Sequence, residues 1–134
     1  MTRVYARQDS RWQAAVPPYL GKPGNWVCNL HIAYAGDTQI ELIQPVSGAS
    51  MYQESLDRHC DAVQHVAYWL DDADYDAAAA HLESSGYPQI QNFRLPILRV
   101  GYYDTRRAMG VVTEIVGSIE AGHELRRNLK SGNF

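Results

Sequence analysis

The sequence has few cysteines, no surplus of basic residues and no long hydrophobic run. Its two cysteines, Cys28 and Cys60, are too few and too far apart for a disulfide framework or a thiolate zinc site, so a reducing cytoplasm is the simplest setting. The formal net charge is −3, and no basic block interleaves with aromatic residues as in nucleic-acid-binding surfaces. No apolar run approaches the roughly 18 residues of a membrane span, and residues 1–12 lack the apolar core of a signal peptide. We therefore expect a soluble cytoplasmic protein that binds neither nucleic acid nor membranes.

The signatures of several large enzyme classes are missing as well. The sequence contains no serine-histidine-aspartate arrangement, no phosphate-cradling glycine loop and no dinucleotide fingerprint, so hydrolase and nucleotide-dependent functions have no support. The 134 residues are 46% hydrophobic and 20% charged, which suffices to bury a core and predicts one globular domain.

Hydrophobic periodicity and turn residues predict an α+β fold. Residues 26–35 and the stretch QIELI flank a Gly-Asp turn signal, which predicts a β-hairpin. A short helix at 50–60 with Ser50 as N-cap follows, and the acidic, alanine-rich segment 71–87 predicts a helix that stops at Gly86. The remaining predicted elements are strands at 3–7, 64–70, 89–93, 97–104 and 111–117 and a terminal helix at 118–130.

Glu41 stands in the middle of the predicted strand TQIELIQP, where a buried charge is costly unless it is paired or bound to a metal. The hairpin that carries it has a counterpart later in the chain, which predicts a duplicated module. The corresponding residues are Tyr34, Asp37, Thr38 and Glu41 in the first hairpin and Tyr103, Asp104, Thr105 and Glu114 in the second. If the modules pack as related halves, Glu41 and Glu114 converge. The alternative for each glutamate is a solvent-facing position on an edge strand.

Two converging carboxylates need a shared proton, a cationic partner or a divalent metal between them. His65, near the start of strand 64–70, offers a nitrogen ligand of the kind that mixed histidine and carboxylate sites use for zinc, manganese, nickel, cobalt or iron. The alternative is a hydrogen-bonded core histidine. His31 is expected to be structural or exposed, and His81 and His123, on predicted helices, are expected to be solvated.

Several basic and aromatic residues are candidates for substrate contacts. Four arginines near the late strands, Arg94, Arg99, Arg106 and Arg107, could grip a phosphate or carboxylate, although an exposed set of charges is the alternative. The three tryptophans and nine tyrosines could line a cleft for an organic substrate or simply fill the core.

The order of these motifs resembles the vicinal oxygen chelate superfamily, in particular its branch with methylmalonyl-CoA epimerase and glyoxalase-like proteins. The resemblance rests on the strands ELIQP, QHVAYWL and GVVTEIVG and the helix DDADYDAAAA, which occur in the family's order within residues 26–117. It implies paired βαβββ modules whose curved sheets surround a metal cleft, commonly in dimers. It also implies that Glu41, His65 and Glu114 bind a divalent metal, whereas Gln64 falls where many relatives carry another histidine and is not counted as a ligand.

The resemblance also divides the single domain of residues 1–134 into parts. The parts are a partial first module at 1–49, a connecting helix at 50–62, a second module at 63–117 and a C-terminal helix and tail at 118–134. The family's first module opens with a histidine-bearing strand and a helix, and this sequence begins after both, so about 35 residues are expected to be absent. Either the start was placed downstream of the true one, or water, His31, His59 or another subunit replaces the fourth ligand. A missing strand leaves a sheet edge, which favours a homodimer.

The resemblance implies a metal-dependent isomerase, epimerase or lyase that acts on a small carbonyl or acyl-thioester substrate. The metal would stabilise an enolate, Glu41 or Glu114 would act as general base, and the carboxylate on the opposite face would return the proton. One alternative is a metal-free protein that sequesters a small molecule, as bleomycin-resistance relatives do. A dioxygenase is less favoured, because its iron site would need a second histidine beside His65 and Glu114.

Overall fold

Two β-sheets and four α-helices form the part of the chain that the computed structural model describes, residues 19–22, 26–59 and 62–132. The elements are β1 (Val27–Ala35), β2 (Thr38–Ser47), α1 (Met51–His59), β3 (His65–Asp71), α2 (Tyr75–Ser84), β4 (Gln89–Leu95), β5 (Leu98–Tyr103), α3 (Arg106–Met109), β6 (Val112–Ser118) and α4 (Glu120–Ser131). The predicted α+β class is confirmed. The strand predicted at residues 3–7 lies outside the described residues.

The larger sheet has the strand order β3-β6-β5-β4 and comes from one continuous stretch of chain. After β3 the chain crosses the sheet through α2 to the far edge at β4 and then returns through β5 and β6. β3 and β6 therefore pair in parallel, whereas β4, β5 and β6 pair antiparallel. This βαβββ arrangement is the second module that the family resemblance implies.

The smaller sheet is the predicted hairpin of β1 and β2. It closes at Gly36, whose φ of 65° suits the tight turn. Along β2, Glu41 and Ile43 are half-buried while Ile40 and Leu42 are exposed, so the strand turns alternate residues to the interior. This pattern argues that the side chain of Glu41 does not simply face solvent. Within the described ranges, β2 pairs with β1 alone.

Hydrophobic residues pack on both faces of the larger sheet. On the face toward the hairpin, the buried residues are Trp26, Cys28, Met51, Tyr52, Ile90, Val100, Tyr102, Val112 and Val116. On the other face, α2 covers Tyr103 and Ile115 with Tyr75. The first cluster joins β1, α1 and the larger sheet into one core, which fixes where β2 stands relative to β3 and β6.

Helix ends agree with the sequence signals. The Ser50 hydroxyl accepts a hydrogen bond from the backbone N–H of Gln53 at 3.2 Å, and Gly86 takes a φ of 86° just after α2. In α4, Gly122 permits a close approach, because a Cβ there would lie 2.8 Å from the carbonyl oxygen of Ile97. No helix in the described ranges is long and apolar enough to cross a membrane.

The predicted repeat is only partly reproduced. Both segments form antiparallel strand pairs with the glutamate on the second strand. The tyrosines are not equivalent, however: Tyr34 shares a face with Glu41, whereas Tyr103 lies on the face away from Glu114, whose cross-strand partner is Tyr102. The second connection contains α3, which the sequence pattern does not predict, and the added residues change the register. The predicted correspondence of the tyrosines is therefore wrong.

Candidate metal centre

Three side chains from the two sheets converge on one point. Glu41 in β2, His65 at the first residue of β3 and Glu114 in β6 each offer one ligand atom, and these atoms lie within 4.8 Å of one another. Nε2 of His65 is 3.0 Å from Oε2 of Glu114 and 3.7 Å from Oε2 of Glu41. The structure thus brings together all three residues that the sequence singles out as candidate ligands.

Strand register explains why these residues meet. Ala67 of β3 pairs with Glu114 of β6, so His65, two residues before Ala67, lies on the same face of the sheet as Glu114. Glu41 approaches from the hairpin, because alternate residues of β2 turn toward the interior. The position of each residue along its strand thus directs its side chain into the space between the two sheets.

Burial differs among the three side chains and leaves one oxygen without a donor. The side chain of Glu114 is 6% exposed, that of His65 10% and that of Glu41 24%. Oε2 of Glu114 is buried and has no donor among the described residues while Nε2 of His65, 3.0 Å away, carries no proton. A buried carboxylate oxygen without a donor is costly. A divalent cation held by the three residues would remove that cost, so they fit a metal.

Two glutamine side chains hold the candidate ligands in place. Oε1 of Gln64 lies 2.6 Å from Nδ1 of His65, and an amide oxygen can only accept, so Nδ1 carries a proton and Nε2 faces the carboxylates. The amide of Gln39 donates to Oε1 of Glu41 at 2.8 Å. Histidines that bind metals are commonly oriented by such a hydrogen bond from the other ring nitrogen. Gln64 is thus a positioning residue, although its neighbourhood in sequence gives no signal for that role.

A buried pair of tyrosines lies under the site. The Tyr52 hydroxyl donates to the Tyr102 hydroxyl at 2.9 Å, and the Tyr102 ring packs edge-on to the His65 ring with centroids 5.6 Å apart. Burial raises the pKa of both phenols well above the usual range, and the Glu114 carboxylate adds to that effect. Both hydroxyls therefore remain neutral donors, and the Tyr102 hydroxyl helps to stabilise the charged form of Glu114.

The charges of the three residues depend on one another. Burial of the ring opposes protonation of His65, but the carboxylates of Glu114 and Glu41 outweigh it and raise the pKa of His65 to about 9. Burial raises the pKa of Glu114, and the adjacent His65 opposes that shift. Without a metal, a protonated His65 is therefore the cation that offsets the two carboxylates.

A cleft of about 700 Å³ opens above these side chains. Its walls come from β2, α1, the segment before β3, β3 itself and α4, and they include Glu41, His65, Trp69 and Arg126. Glu114 lies beneath the cleft rather than on its wall. Arg126 is a further candidate functional residue, and the sequence gives no signal that separates it from the other charges of the terminal helix.

The other candidates from the sequence lie elsewhere. Arg99 pairs with Asp72 and Asp76, and Arg106 pairs with Asp104 and Glu54, so both serve ion pairs within the fold. Arg94 and Arg107 are exposed and outside the cleft wall. The alternative of an exposed set of charges therefore describes Arg94 and Arg107, whereas Arg99 and Arg106 form ion pairs within the fold and fit neither that alternative nor an anion grip.

The remaining histidines do not join the three candidate ligands. His31 pairs with Leu42, the exposed neighbour of Glu41, and so points to the opposite face of the hairpin. His81 is exposed on α2 as predicted. His123 is not simply solvated, because its Nε2 lies 3.0 Å from Oδ1 of Asp71 and its ring lies near Trp69. The side chain of His59 lies outside the described residues.

Comparison with known proteins gives one family match. Residues 6–96 match the family model described as the Glyoxalase/Bleomycin resistance protein/Dioxygenase superfamily. The matched range contains Glu41 and His65 and ends before Glu114, so the third candidate ligand depends on the geometry of β6 alone. No curated protein matches the chain.

The titration of His65 provides a direct test of this charge arrangement. In the metal-free protein we expect a pKa of about 9 for His65, raised from the ordinary value of 6.5. Because the folded-state pKa is raised, the stabilisation from protonated His65 is fully present below about pH 6.5 and is lost as the pH rises through about 9. NMR titration of the ring carbons measures this pKa.

Two variants serve as comparison. Glu114→Gln should lower the pKa of His65, since it removes the closer carboxylate, whereas Glu83→Gln on the exposed side of α2 should leave it unchanged. A pKa of 6.5 or lower for His65 in the metal-free wild-type protein would contradict the arrangement described above.

Proposed function

We propose a function from the premise that this chain belongs to the Glyoxalase/Bleomycin resistance protein/Dioxygenase superfamily, since the match covers more than half of its residues. We infer that it is a metal-dependent isomerase, epimerase or lyase for a small carbonyl or acyl-thioester compound. The superfamily name covers enzymes and resistance proteins alike, so membership alone does not select a reaction. The choice of reaction therefore depends on the residues in and beneath the cleft.

One observation carries the proposal: Glu41, His65 and Glu114 converge, and a buried oxygen of Glu114 has no donor among the described residues while His65 is neutral. These three residues would hold the metal. When bound, a divalent metal would polarise a substrate carbonyl and stabilise the negative charge of an enolate, an effect that is large in a site shielded from water.

Glu41 is the better candidate for the general base. A base must reach the proton on the substrate carbon, and Glu41 lines the cleft while Glu114 lies beneath it. The hydrogen bond from Gln39 to Oε1 of Glu41 keeps its second oxygen toward His65 and the cleft. In the proposed reaction, the Glu41 carboxylate takes the proton from the carbon next to the carbonyl and becomes a carboxylic acid. That acid then gives the proton to the former carbonyl carbon of a hydroxy-carbonyl substrate, which completes an isomerisation. In an epimerisation the returning proton would come from water on the opposite face, and Glu41 would release its own proton to solvent.

Glu114 and the Tyr52–Tyr102 pair would stabilise charge at the site and would not transfer protons. The side chain of Glu114 is nearly fully buried, so its negative charge interacts strongly with His65 and with any cation at the site. The Tyr102 hydroxyl beside it remains protonated at neutral pH, since its pKa is raised well above the usual range by burial and by Glu114. This neutral donor supports the carboxylate without adding a competing charge.

A second candidate function is metal-free sequestration of a small molecule. It is favoured by the raised pKa of His65, because a protonated imidazole between Glu41 and Glu114 gives the cluster a cation of its own. Aromatic side chains on the cleft wall, Tyr52 and Trp69, would then contact an organic ligand. The metal content of the protein separates this function from the first.

A homodimer is part of the proposal. The outer edge of β2 has no strand partner in the described ranges, and Ile40, Leu42 and Val46 are exposed along it. Exposed strand edges favour pairing with another chain. Sedimentation equilibrium should give twice the monomer mass, and Leu42→Lys should shift the equilibrium toward the monomer, whereas a strictly monomeric wild-type protein contradicts this part.

Metal analysis tests the proposed site. We expect the purified protein to bind about one divalent ion per chain, and expect Glu41→Gln and His65→Ala to lose stoichiometric metal because each removes a ligand atom. Plasma mass spectrometry after dialysis measures the content. Glu83→Gln is the matched control and should bind as the wild type does. A correctly folded wild-type protein that takes up no divalent metal rules out the metal enzyme and favours sequestration.

Solvent deuterium exchange tests the reaction class. Metal-loaded protein in D₂O should exchange the proton next to the carbonyl in at least one member of a panel of acyl-CoA thioesters and 2-hydroxy or 2-oxo carbonyl compounds. Proton NMR follows the loss of the signal. Glu41→Gln should slow the exchange by about 100-fold to 10,000-fold, the usual contribution of a general base. Exchange that persists at the wild-type rate in Glu41→Gln would assign the base elsewhere.

A further inference from the structure

We propose that Arg126 forms an anion-binding subsite in the same cleft, so that the substrate is a carbonyl compound that also carries a carboxylate or phosphate group. This inference rests on the proposed function, because it names the substrate class of that site. It depends on the position of Arg126, on the partners of the other cations of α4 and on the charge of the cleft.

Arg126 lies on the cleft wall beside the candidate ligands. Its guanidinium stacks on the ring of Trp69, with 5.2 Å between the guanidinium carbon and the ring centroid. Trp69 is on the same face of β3 as His65, and both line the cleft. Between them stands Ala67, whose small side chain leaves the floor of the cleft open. A ligand can therefore extend from His65 to Arg126 without an obstructing side chain on β3.

The guanidinium of Arg126 has no carboxylate partner among the described residues. Its Nε is buried and makes no hydrogen bond in the described part of the chain. The neighbouring cations of α4 differ: Arg127 pairs with Glu120 at 2.6 Å and Lys130 pairs with Asp37. The two Nη groups of Arg126 also make no hydrogen bond to the described residues, and as Arg126 is only partly buried they are the donors that a carboxylate or phosphate oxygen in the cleft would meet.

Contacts of Tyr34 connect Arg126 with the candidate base. The Tyr34 hydroxyl lies 3.4 Å from the backbone carbonyl oxygen of Arg126 and donates to Oε1 of Gln39 at 2.7 Å. Gln39 in turn donates to Glu41. Trp69 lies four residues beyond His65 on β3, a rise of about 13 Å, so a ligand that contacts both His65 and Arg126 spans a length of that order. The stacking on Trp69 holds the guanidinium plane while leaving its N–H edge available.

The charge of the loaded cleft also favours an anion. The carboxylates of Glu41 and Glu114 balance a divalent metal, and His65 is neutral when it is a ligand. Arg126 then has no paired carboxylate among the described residues, since the carboxylate of Asp37, which also lines the cleft, pairs with Lys130. Such a cleft attracts anions and repels cations, so a cationic organic ligand is a poor candidate for this protein.

Two matched pairs of probes test the subsite. The first pair is 4-oxopentanoate and its neutral methyl ester, and the second is dihydroxyacetone phosphate and dihydroxyacetone. Chemical-shift titrations of ¹⁵N-labelled full-length protein give the dissociation constants, both with metal and after chelation. The variants are Arg126→Gln and Arg126→Met, whose stem still covers Trp69, with Arg127→Gln as the control on the same helix.

The wild-type protein should bind the charged member of at least one pair about tenfold or more tightly than the neutral member, the scale of a charge-assisted hydrogen bond. Both Arg126 variants should lose this preference, and Arg127→Gln should keep it. The pair that shows the preference distinguishes a carboxylate from a phosphate. No preference in the wild type, or a preference that survives in a folded Arg126 variant, overturns the proposal.

The chelated samples test the anion subsite independently of the proposed metal enzyme. An Arg126-dependent preference in a protein that binds no metal supports the anion subsite while the metal enzyme fails. Stoichiometric metal binding without any preference for the charged probes overturns the anion subsite and leaves the metal enzyme standing.

Discussion

The burial of two carboxylates beside one imidazole is the constraint on which the rest of the structure depends. Glu41 and Glu114 repel each other, and neither can lose water unless a cation stands between them. His65, with a pKa raised to about 9 by these neighbours, is such a cation when no metal is present. In the proposed metal enzyme the same nitrogen would be a metal ligand once deprotonated, so proton and metal would compete for one position.

This arrangement requires two sheets held in a fixed relation. His65 and Glu114 come from adjacent parallel strands, but Glu41 comes from a separate hairpin whose backbone makes no ladder with them. The core residues of β1 and α1, among them Cys28 and Tyr52, pack on the larger sheet and set the distance between the sheets. The site therefore depends on side-chain packing rather than on backbone hydrogen bonds alone.

The cleft has two chemically different ends. At one end the carboxylates and His65 suit a cation and a carbonyl group, and at the other Arg126 stacks on Trp69. Gly122 contributes to the second end, because the absence of a side chain lets α4 approach the loop at Ile97 one turn before Arg126. A residue that weakens the helix as an isolated element thus helps to place the side chain of Arg126.

Apart from α3, the sequence by itself determined the helices and strands of the described residues, the alternation of β2 and the three residues that converge. Periodicity, caps and a family resemblance report local conformation and the face that a side chain takes. The sequence did not determine the register of the tyrosines, because α3 adds residues that no local pattern marks. It also gave no indication that Gln64 orients His65, that Tyr52 and Tyr102 pair, or that Arg126 lines the cleft. Their roles come from contacts between segments far apart in the chain. Only the tertiary structure decided these roles. Arg126 differs from the other arginines of α4 because its guanidinium stacks on Trp69 when the helix packs on the sheet.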